Sequence, residues 1–219
     1  MTILPALILI VLLFAFIYAL ARQLARPSGW FGRRVMTGFL NYGNRSMISA
    51  VVRLLDAKAG ETIVDVGFGG GYALELIAPK VIPARVMGVE ISNAMIEAAK
   101  ARWGETIEVQ LADAAAMPFA DGFFDGIISV NTIYFWNNPV AVLQEFRRVL
   151  RPNGRLVLGI GMKEMMRWSP LTWFGFRLFS SKEIERMLDA AGFEAIIQRA
   201  GLGELIVVAR PRLQKLGTP

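Results

Sequence analysis

The chain has 219 residues and contains neither cysteine nor histidine, which excludes disulfides, zinc sites built on thiolate or imidazole, and a histidine general base. Its formal net charge is +6, from 24 basic and 18 acidic residues. Six arginines precede the first acidic residue, Asp56, so the rest of the chain is neutral overall, and we expect no nucleic-acid partner.

The first feature in chain order is an uncharged, almost wholly apolar run at residues 3–21, ILPALILIVLLFAFIYALA. About 19–20 helical residues cover roughly 30 Å, the thickness of a bilayer's hydrocarbon core. A signal peptide would carry basic residues before the run, and a buried core helix is rarely so long and uncharged. We therefore predict a transmembrane anchor in residues 1–22. Because arginines follow the span and none precedes it, we expect a single-pass protein with its main domain in the cytoplasm.

Residues 23–55 form a basic and aromatic segment that includes Trp30, Phe31 and Phe39. Basic residues near an anionic membrane surface contribute about 1 kcal/mol each to binding. We expect this segment to hold the following domain against membrane lipid. The alternative is a solvated linker whose aromatic side chains pack in an ordinary way.

Strand and helix patterns alternate through residues 56–219, which we interpret as one domain. The predicted strands cover residues 62–68, 85–91, 107–113, 124–131, 155–160, 193–199 and 204–209. The predicted helices cover residues 72–79, 93–103, 139–150 and a segment that starts at the capping box 180–183 and stops at Gly192. This alternation predicts an α/β fold with a mainly parallel sheet and helices on both faces.

A glycine-rich loop, DVGFGGGY, follows the first predicted strand at residues 65–72. Its glycines permit a tight turn and close approach to a nucleotide, and the next helix contributes free N–H groups. A dinucleotide fingerprint needs a small residue where this chain has Tyr72, and the Lys-Ser/Thr of a P-loop is absent. The pattern present is D-x-G-x-G-x-G.

Five motifs in order resemble the class I S-adenosylmethionine-dependent methyltransferases, specifically the small-molecule branch with the ubiquinone/menaquinone and sterol methyltransferases. They are VDVGFGGG, VMGVEIS, LADAAAMPFADGFFD, IISVNTIYFW and LRPNGRLVLG. The resemblance covers about residues 58–210. It implies a Rossmann-like seven-stranded sheet and S-adenosylmethionine as the cofactor; no metal site is expected.

The resemblance implies cofactor contacts at the ends of the predicted strands. Asp65 would hold the methionyl ammonium, Glu90 the two ribose hydroxyls and Asp113 the adenine amino group. The other implied cofactor-binding residues are Gly67, Phe68, Gly69, Gly71, Ile91, Ala114, Asn131 and, by a looser match, Tyr42. Taken singly, Asp65, Asp113 and Asn131 could instead cap turns, and Asp125 fits a structural role in the loop before its strand.

Methyl transfer requires proximity and alignment, and it needs a base only if the nucleophile loses a proton. Tyr134 is our candidate catalytic residue for orienting the nucleophile, and an aromatic wall of the pocket is its alternative role. Glu164 is a second, weaker candidate. The spacing from Asn131 to Tyr134 matches the N-P-P-Y motif of base-modifying methyltransferases, but both prolines are absent, which argues against a nucleic-acid substrate.

The segment 162–179, MKEMMRWSPLTWFGFRLF, is rich in methionine and aromatic residues. We expect a substrate pocket lined by Tyr134, Trp136, Met165, Trp168 and Trp173; a second membrane contact or core packing are the alternatives for this segment. The sequence thus predicts a membrane-anchored methyltransferase for a hydrophobic or lipid-like small molecule. Two alternatives remain, a tethered enzyme for a soluble small molecule and a non-catalytic S-adenosylmethionine-binding membrane protein.

Overall fold

A computed structural model describes residues 3–201 and 203–212. The strands are β1 (Ile63–Val66), β2 (Val86–Glu90), β3 (Glu108–Leu111), β4 (Phe124–Val130), β5 (Leu150–Gly161), β6 (Phe193–Arg199) and β7 (Glu204–Pro211). They form one sheet in the order β3-β2-β1-β4-β5-β7-β6. The pairs from β3 to β5 are parallel, and β7 runs antiparallel to both of its neighbours. The predicted seven-stranded, mainly parallel sheet is confirmed.

The helices are α1 (Ile3–Ala25), α2 (Gly29–Phe31), α3 (Thr37–Gly43), α4 (Arg45–Leu55), α5 (Tyr72–Val81), α6 (Asn93–Trp103), α7 (Pro139–Val149), α8 (Lys163–Met166) and α9 (Ser181–Ala190). A π-helical turn covers Gly32–Met36, and 3-10 turns cover Ile133–Phe135 and Pro170–Trp173. The side chain of Asn138 caps α7 by accepting from the N–H of Ala141, and the predicted capping box at Ser180 opens α9.

Helices cover both faces of the sheet, as predicted. The apolar cluster on one face includes residues of α7 and α9, such as Phe146 and Leu188. The cluster on the other face includes residues of α4, α5 and α6, such as Val51 and Leu74. Because α4 buries its apolar side against the sheet, the folded domain extends N-terminal to residue 56.

Helix α1 differs from the others in its exposure. It is the one helix among residues 3–201 and 203–212 that is long and apolar enough to cross a membrane. An 18-residue stretch of α1 has a mean hydropathy of 3.0 and contains no buried residue. Near its C-terminal end Ala21 is 1% exposed, so the helix meets the folded domain there.

Candidate cofactor and substrate site

A cavity of about 290 Å³ lies at the carboxyl ends of the parallel strands, the position at which open α/β sheets bind ligands. Its floor consists of residues at or just after the strand ends: 65–70, 89–91, 112–115 and 130–132. Its roof consists of residues N-terminal to the sheet: Leu24, Ala25, Pro27, Leu40, Asn41, Asn44 and Ile48. The turn after β4 and the start of α7 complete the wall with Phe135, Trp136, Asn137, Asn138 and Val142.

The glycine loop passes under the cavity in a backbone conformation that favours glycine. Gly67, Gly69 and Gly71 have φ angles of +74°, +52° and +78°, in the left-handed region that other residues rarely adopt. A Cβ atom on Gly67 would lie 2.4 Å from Cγ2 of Thr132. The loop is therefore open to close approach by a ligand and closed to larger side chains.

Glu90, at the end of β2, is 7% exposed and hydrogen-bonds to the glycine loop. Its carboxylate accepts hydrogen bonds from the N–H groups of Gly69 (3.2 Å), Ile91 (2.8 Å) and Ser92 (3.0 Å). Burial raises the pKa of Glu90, and these N–H groups partly offset that rise. The residue predicted to bind the ribose thus also organises the loop beside it.

Asp65, at the carboxyl end of β1, is the second buried carboxyl group of the floor and is 3% exposed. Burial and, to a lesser extent, the neighbouring charge of Glu90 raise the pKa of Asp65 to about 8. Two carboxyl groups that line one cavity favour a ligand with a cation and hydroxyl donors. The aminoacyl and ribose portions of S-adenosylmethionine have this chemistry, so these residues fit that cofactor.

Asn131, at the end of β4, joins the floor to the roof. It has a φ of +56°, which asparagine tolerates better than most residues. Its side-chain Oδ1 accepts from the Tyr134 hydroxyl (2.9 Å) and the Gly161 N–H (3.3 Å), and its Nδ2 donates to Oδ1 of Asn44 (2.8 Å). The predicted cofactor residue lines the cavity, with its amide orientation fixed by three neighbours.

The far end of the floor contains the residues predicted to meet adenine. Ile91, Asp113 and Ala114 all line the cavity, and Ile91 is 39% exposed. Asp113 also accepts a hydrogen bond from the N–H of Ala115 (2.8 Å), so it braces its own turn as well. Asp125 lies outside the cavity lining; it accepts from the N–H of Thr62 (2.8 Å) and pairs with Arg151, which confirms its structural role.

The predicted catalytic role of Tyr134 does not agree with the structure. Tyr134 is 1% exposed, packs in the core and is absent from the cavity wall. Its hydroxyl donates to Asn131 and accepts from the N–H of Gly161 (2.5 Å). Burial raises the pKa of the Tyr134 phenol above its usual value, so the phenol stays protonated and no phenolate is available to act as a general base. Its position suits a residue that holds Asn131 in place.

The structure brings only one of the other predicted substrate-pocket residues to the cavity. Trp136 lines the cavity and is 7% exposed. Met165, Trp168 and Trp173 lie outside the cavity lining and are 59%, 73% and 58% exposed. The segment turns outward because the 3-10 turn Pro170–Trp173 lies beside α1 rather than over the strand ends. The weaker candidate, Glu164, is also exposed and outside the lining.

Tyr42 does not cover the cavity as predicted, because its side chain is 85% exposed and outside the cavity lining. Its helical neighbour Asn41 faces the cavity instead, since successive residues of a helix project about 100° apart. Asn41 donates to the carbonyl of Gly70 (3.0 Å) and accepts from the N–H of Tyr72 (3.2 Å). No sequence motif marked this contact; the nearest signal was a polar residue on the buried side of a short helix.

Comparison with known proteins assigns the chain to a family. The family model described as a methyltransferase domain matches residues 64–158. The chain is 32% identical to the O-methyltransferase resE of Aspergillus sclerotiorum, over 74% of this chain and 71% of that protein. It is 30% identical to the O-methyltransferase cnsE of Penicillium expansum, over 70% of this chain and 59% of that protein.

A comparison with solved structures shows a similar fold. A crystal structure of an S-adenosylmethionine-dependent methyltransferase from Aquifex aeolicus superposes with a TM-score of 0.69 at 22% identity, over 79% of this chain and 95% of that one. The chain spans 34% to 71% of the length of resE, cnsE and an uncharacterised Streptomyces fradiae protein that it also matches.

Proposed function

The chain belongs to the class I S-adenosylmethionine-dependent methyltransferases, and we propose that it is a membrane-anchored enzyme that methylates a hydrophobic or lipid-like small molecule. The bound cofactor supplies a methyl group already activated on a sulfonium. The chain's own residues then need to bind the cofactor and the acceptor, to align the two and to exclude water. Asp65 and Glu90 would hold the aminoacyl and ribose groups, and Asp113 the adenine.

The observation that carries this proposal is that the apolar helix leads directly into the cavity. Leu24 and Ala25 belong to α1, and both line the roof together with Pro27. The Ser92 hydroxyl donates to the carbonyl of Pro27 (2.5 Å), which joins the roof to the residue that follows Ile91 of the floor. An acceptor that leaves the bilayer along α1 would meet the cavity without crossing water.

The electrostatics of the chain support an anchor with the domain in the cytoplasm. Residues 3–21 carry no charge, and the six arginines before Asp56 all follow this run. Positive charge on one side of a span favours the cytoplasmic side. A reporter fused to the C-terminus should therefore give a cytoplasmic signal, and a signal from the other side of the membrane would contradict this orientation.

An oxygen nucleophile is the acceptor atom that we favour. The relatives resE and cnsE are both named O-methyltransferases. The apolar wall residues Phe135, Trp136 and Val142 suit a hydrophobic acceptor rather than a nucleic acid.

The proposal is tested by purifying the full chain in detergent and supplying methyl-labelled S-adenosylmethionine. A total lipid extract and a soluble metabolite pool are offered side by side, with Gly67→Ala as the inactive control. We expect label in the lipid fraction, and mass spectrometry should locate the added methyl group on an oxygen.

The other outcomes distinguish the alternatives. Label confined to the soluble pool would identify a tethered enzyme for a soluble small molecule and overturn the lipid proposal. Cofactor binding without label in either pool would favour a non-catalytic S-adenosylmethionine-binding protein. Label on nitrogen or carbon would leave the lipid acceptor in place and remove the oxygen assignment.

A further inference from the structure

The segment 165–176, MMRWSPLTWFGF, forms an exposed aromatic loop outside the cavity. Its side chains Met165, Trp168 and Trp173 are 59%, 73% and 58% exposed, and its single charged residue is Arg167. The Arg167 guanidinium lies over the ring of Trp168 at 4.7 Å. Exposed tryptophans beside arginine are typical of the membrane–water interface, where one end of the side chain is apolar and the other wet.

The aromatic loop is joined to the apolar helix α1 by ring contacts. The ring of Phe14 lies 6.3 Å from that of Trp173 and 6.5 Å from that of Phe174, and the ring of Tyr18 lies 5.6 Å from that of Phe174. Phe14 precedes Arg22, the first charged residue, by about 12 Å along the helix axis. A bilayer that surrounds the helix at this level must therefore also meet the loop.

The backbone of the aromatic loop satisfies many of its own polar groups. The N–H groups of Met166, Arg167 and Ser169 donate to carbonyls of α8 and of the residue before it, Met162, at 2.9–3.0 Å. The hydroxyl of Thr172 donates to the carbonyl of Met166 (2.9 Å). Unsatisfied backbone groups are the main cost of placing chain among lipids, so this loop can enter the headgroup and acyl boundary at low cost.

A basic cleft borders the same part of α1. It has a volume of about 600 Å³ and is lined by Arg22, Arg26 and Arg33 together with Tyr18. Arg33 pairs with Glu97 at 2.6 Å, and the cleft's excess charge remains positive. Tyr18 belongs to the cleft and also contacts the aromatic loop, so the two surfaces are continuous. Their combination of aromatic and basic groups complements an anionic lipid surface.

We propose that the aromatic loop and the arginine cleft together form a docking surface for an anionic bilayer, which seats the methyltransferase domain beside α1 with the roof at the membrane surface. This inference rests on the proposed membrane anchoring. It goes further because it adds a second membrane contact, which fixes the orientation of the domain as well as its location.

The absence of cysteine from the chain permits a direct test with single labelled cysteines in the full-length protein. Trp168→Cys and Trp173→Cys probe the loop, and Leu9→Cys probes α1. Lys80→Cys is the matched exposed control, because it lies at the end of α5 furthest from the cavity. Each variant is labelled with an environment-sensitive fluorophore and reconstituted into vesicles of phosphatidylcholine with or without phosphatidylserine.

We expect the probes at 168 and 173 to be quenched by nitroxide-labelled lipid and shielded several-fold from aqueous iodide, as at position 9. The probe at 80 should behave in the opposite way. If position 9 is in lipid while 168 and 173 match position 80, the docking surface is overturned and the anchor stands. If position 9 is itself in water, the anchor fails as well. Equal shielding without phosphatidylserine would overturn the contribution of the arginine cleft.

Discussion

The floor and the roof of the cavity are built in different ways. The floor consists of strand ends, a glycine loop with positive φ angles and two buried carboxyl groups, Asp65 and Glu90. The roof consists of the end of α1 and the short helices that follow, held to the floor by the amide side chains of Asn41 and Asn44. The two buried carboxyl groups lie in the floor, whereas the roof supplies apolar side chains and two amide side chains.

The two regions share the glycine loop. Glu90 accepts from the N–H of Gly69 on one side, and Asn41 contacts Gly70 and Tyr72 on the other. The N-terminal segment therefore lines the cavity and supports the glycine loop, in addition to connecting the domain to α1. We therefore expect substitutions in the floor, which remove groups predicted to bind the cofactor, to lower cofactor affinity strongly. Substitutions in the roof, which only supports the glycine loop, should lower it less.

The largest effect is expected for Gly67→Ala in the floor. The new Cβ would lie 2.4 Å from Thr132 at a φ of +74°, so the loop must move out of its binding conformation. We expect the Kd for S-adenosylhomocysteine, measured by titration calorimetry, to rise by about 100-fold or more.

Gly60→Ala is the matched control for this change. Gly60 has a similar φ of +84°, but a Cβ there would have nothing within 4 Å, and it lies outside the cavity. The control should lower stability by roughly 1 kcal/mol without changing cofactor affinity. Equal losses of affinity in both variants would show that backbone strain alone, rather than the shape of the loop, explains the result.

The next largest effect on cofactor affinity is expected for substitutions of Glu90. Glu90→Gln keeps the size and one acceptor oxygen but removes the charge that strengthens its hydrogen bonds, so we expect roughly 30-fold weaker cofactor binding, about 2 kcal/mol. Glu90→Ala also leaves the N–H groups of Gly69, Ile91 and Ser92 without this acceptor. It should therefore lower the melting temperature too. Normal affinity in Glu90→Gln would remove the ribose assignment.

Asp65, in the floor, makes the stability of the folded chain depend on pH. The pKa of its carboxyl group is about 8 in the folded chain, against an ordinary value of 3.8. Between these values the unfolded chain is ionised at this position and the folded chain is not, so folding takes up a proton. The contribution to stability is full below about pH 4 and is lost as the pH rises towards 8.

Asp65→Asn should remove this pH dependence in the ligand-free protein. We expect the free energy of unfolding at pH 8 to be higher in the variant than in the unmodified chain, with little difference at pH 4. Cofactor affinity should fall in the same variant, because the carboxylate for the ammonium is lost. Chemical unfolding at both pH values checks the first point; an unchanged pH profile would show that Asp65 already ionises normally.

The sequence allowed the floor to be predicted and not the roof, for a physical reason. Positive φ angles favour glycine, so the loop after β1 is recognisable as a glycine motif. The carboxylates follow the strands at a fixed spacing from these glycines, so they are recognisable as well. The parallel direction of β1–β5 follows from the same alternation of strands and helices. A helix that covers a cavity needs only a surface of the right shape, and many sequences supply one.

The errors at Tyr42, Tyr134 and Trp173 have this common origin. Each side chain has a type suited to a binding pocket, but its direction depends on helix rotation or on packing between distant elements. The Tyr42 side chain points outward from its helix into solvent. The Tyr134 side chain points into the core and contacts Asn131, and the Trp173 side chain packs near Phe14. Residue type and spacing predict which elements border a site; packing decides which side chains enter it.

The smallest expected effect tests the roof itself, through two adjacent residues. Asn41→Ala removes the hydrogen bonds to Gly70 and Tyr72, so the glycine loop loses its upper support, and we expect cofactor affinity to fall about 5-fold, roughly 1 kcal/mol. Tyr42→Ala is the control: its side chain is 85% exposed, and affinity should not change. If Tyr42→Ala weakens binding more than Asn41→Ala does, the helix is rotated when cofactor is bound, and the roof closes by turning α3.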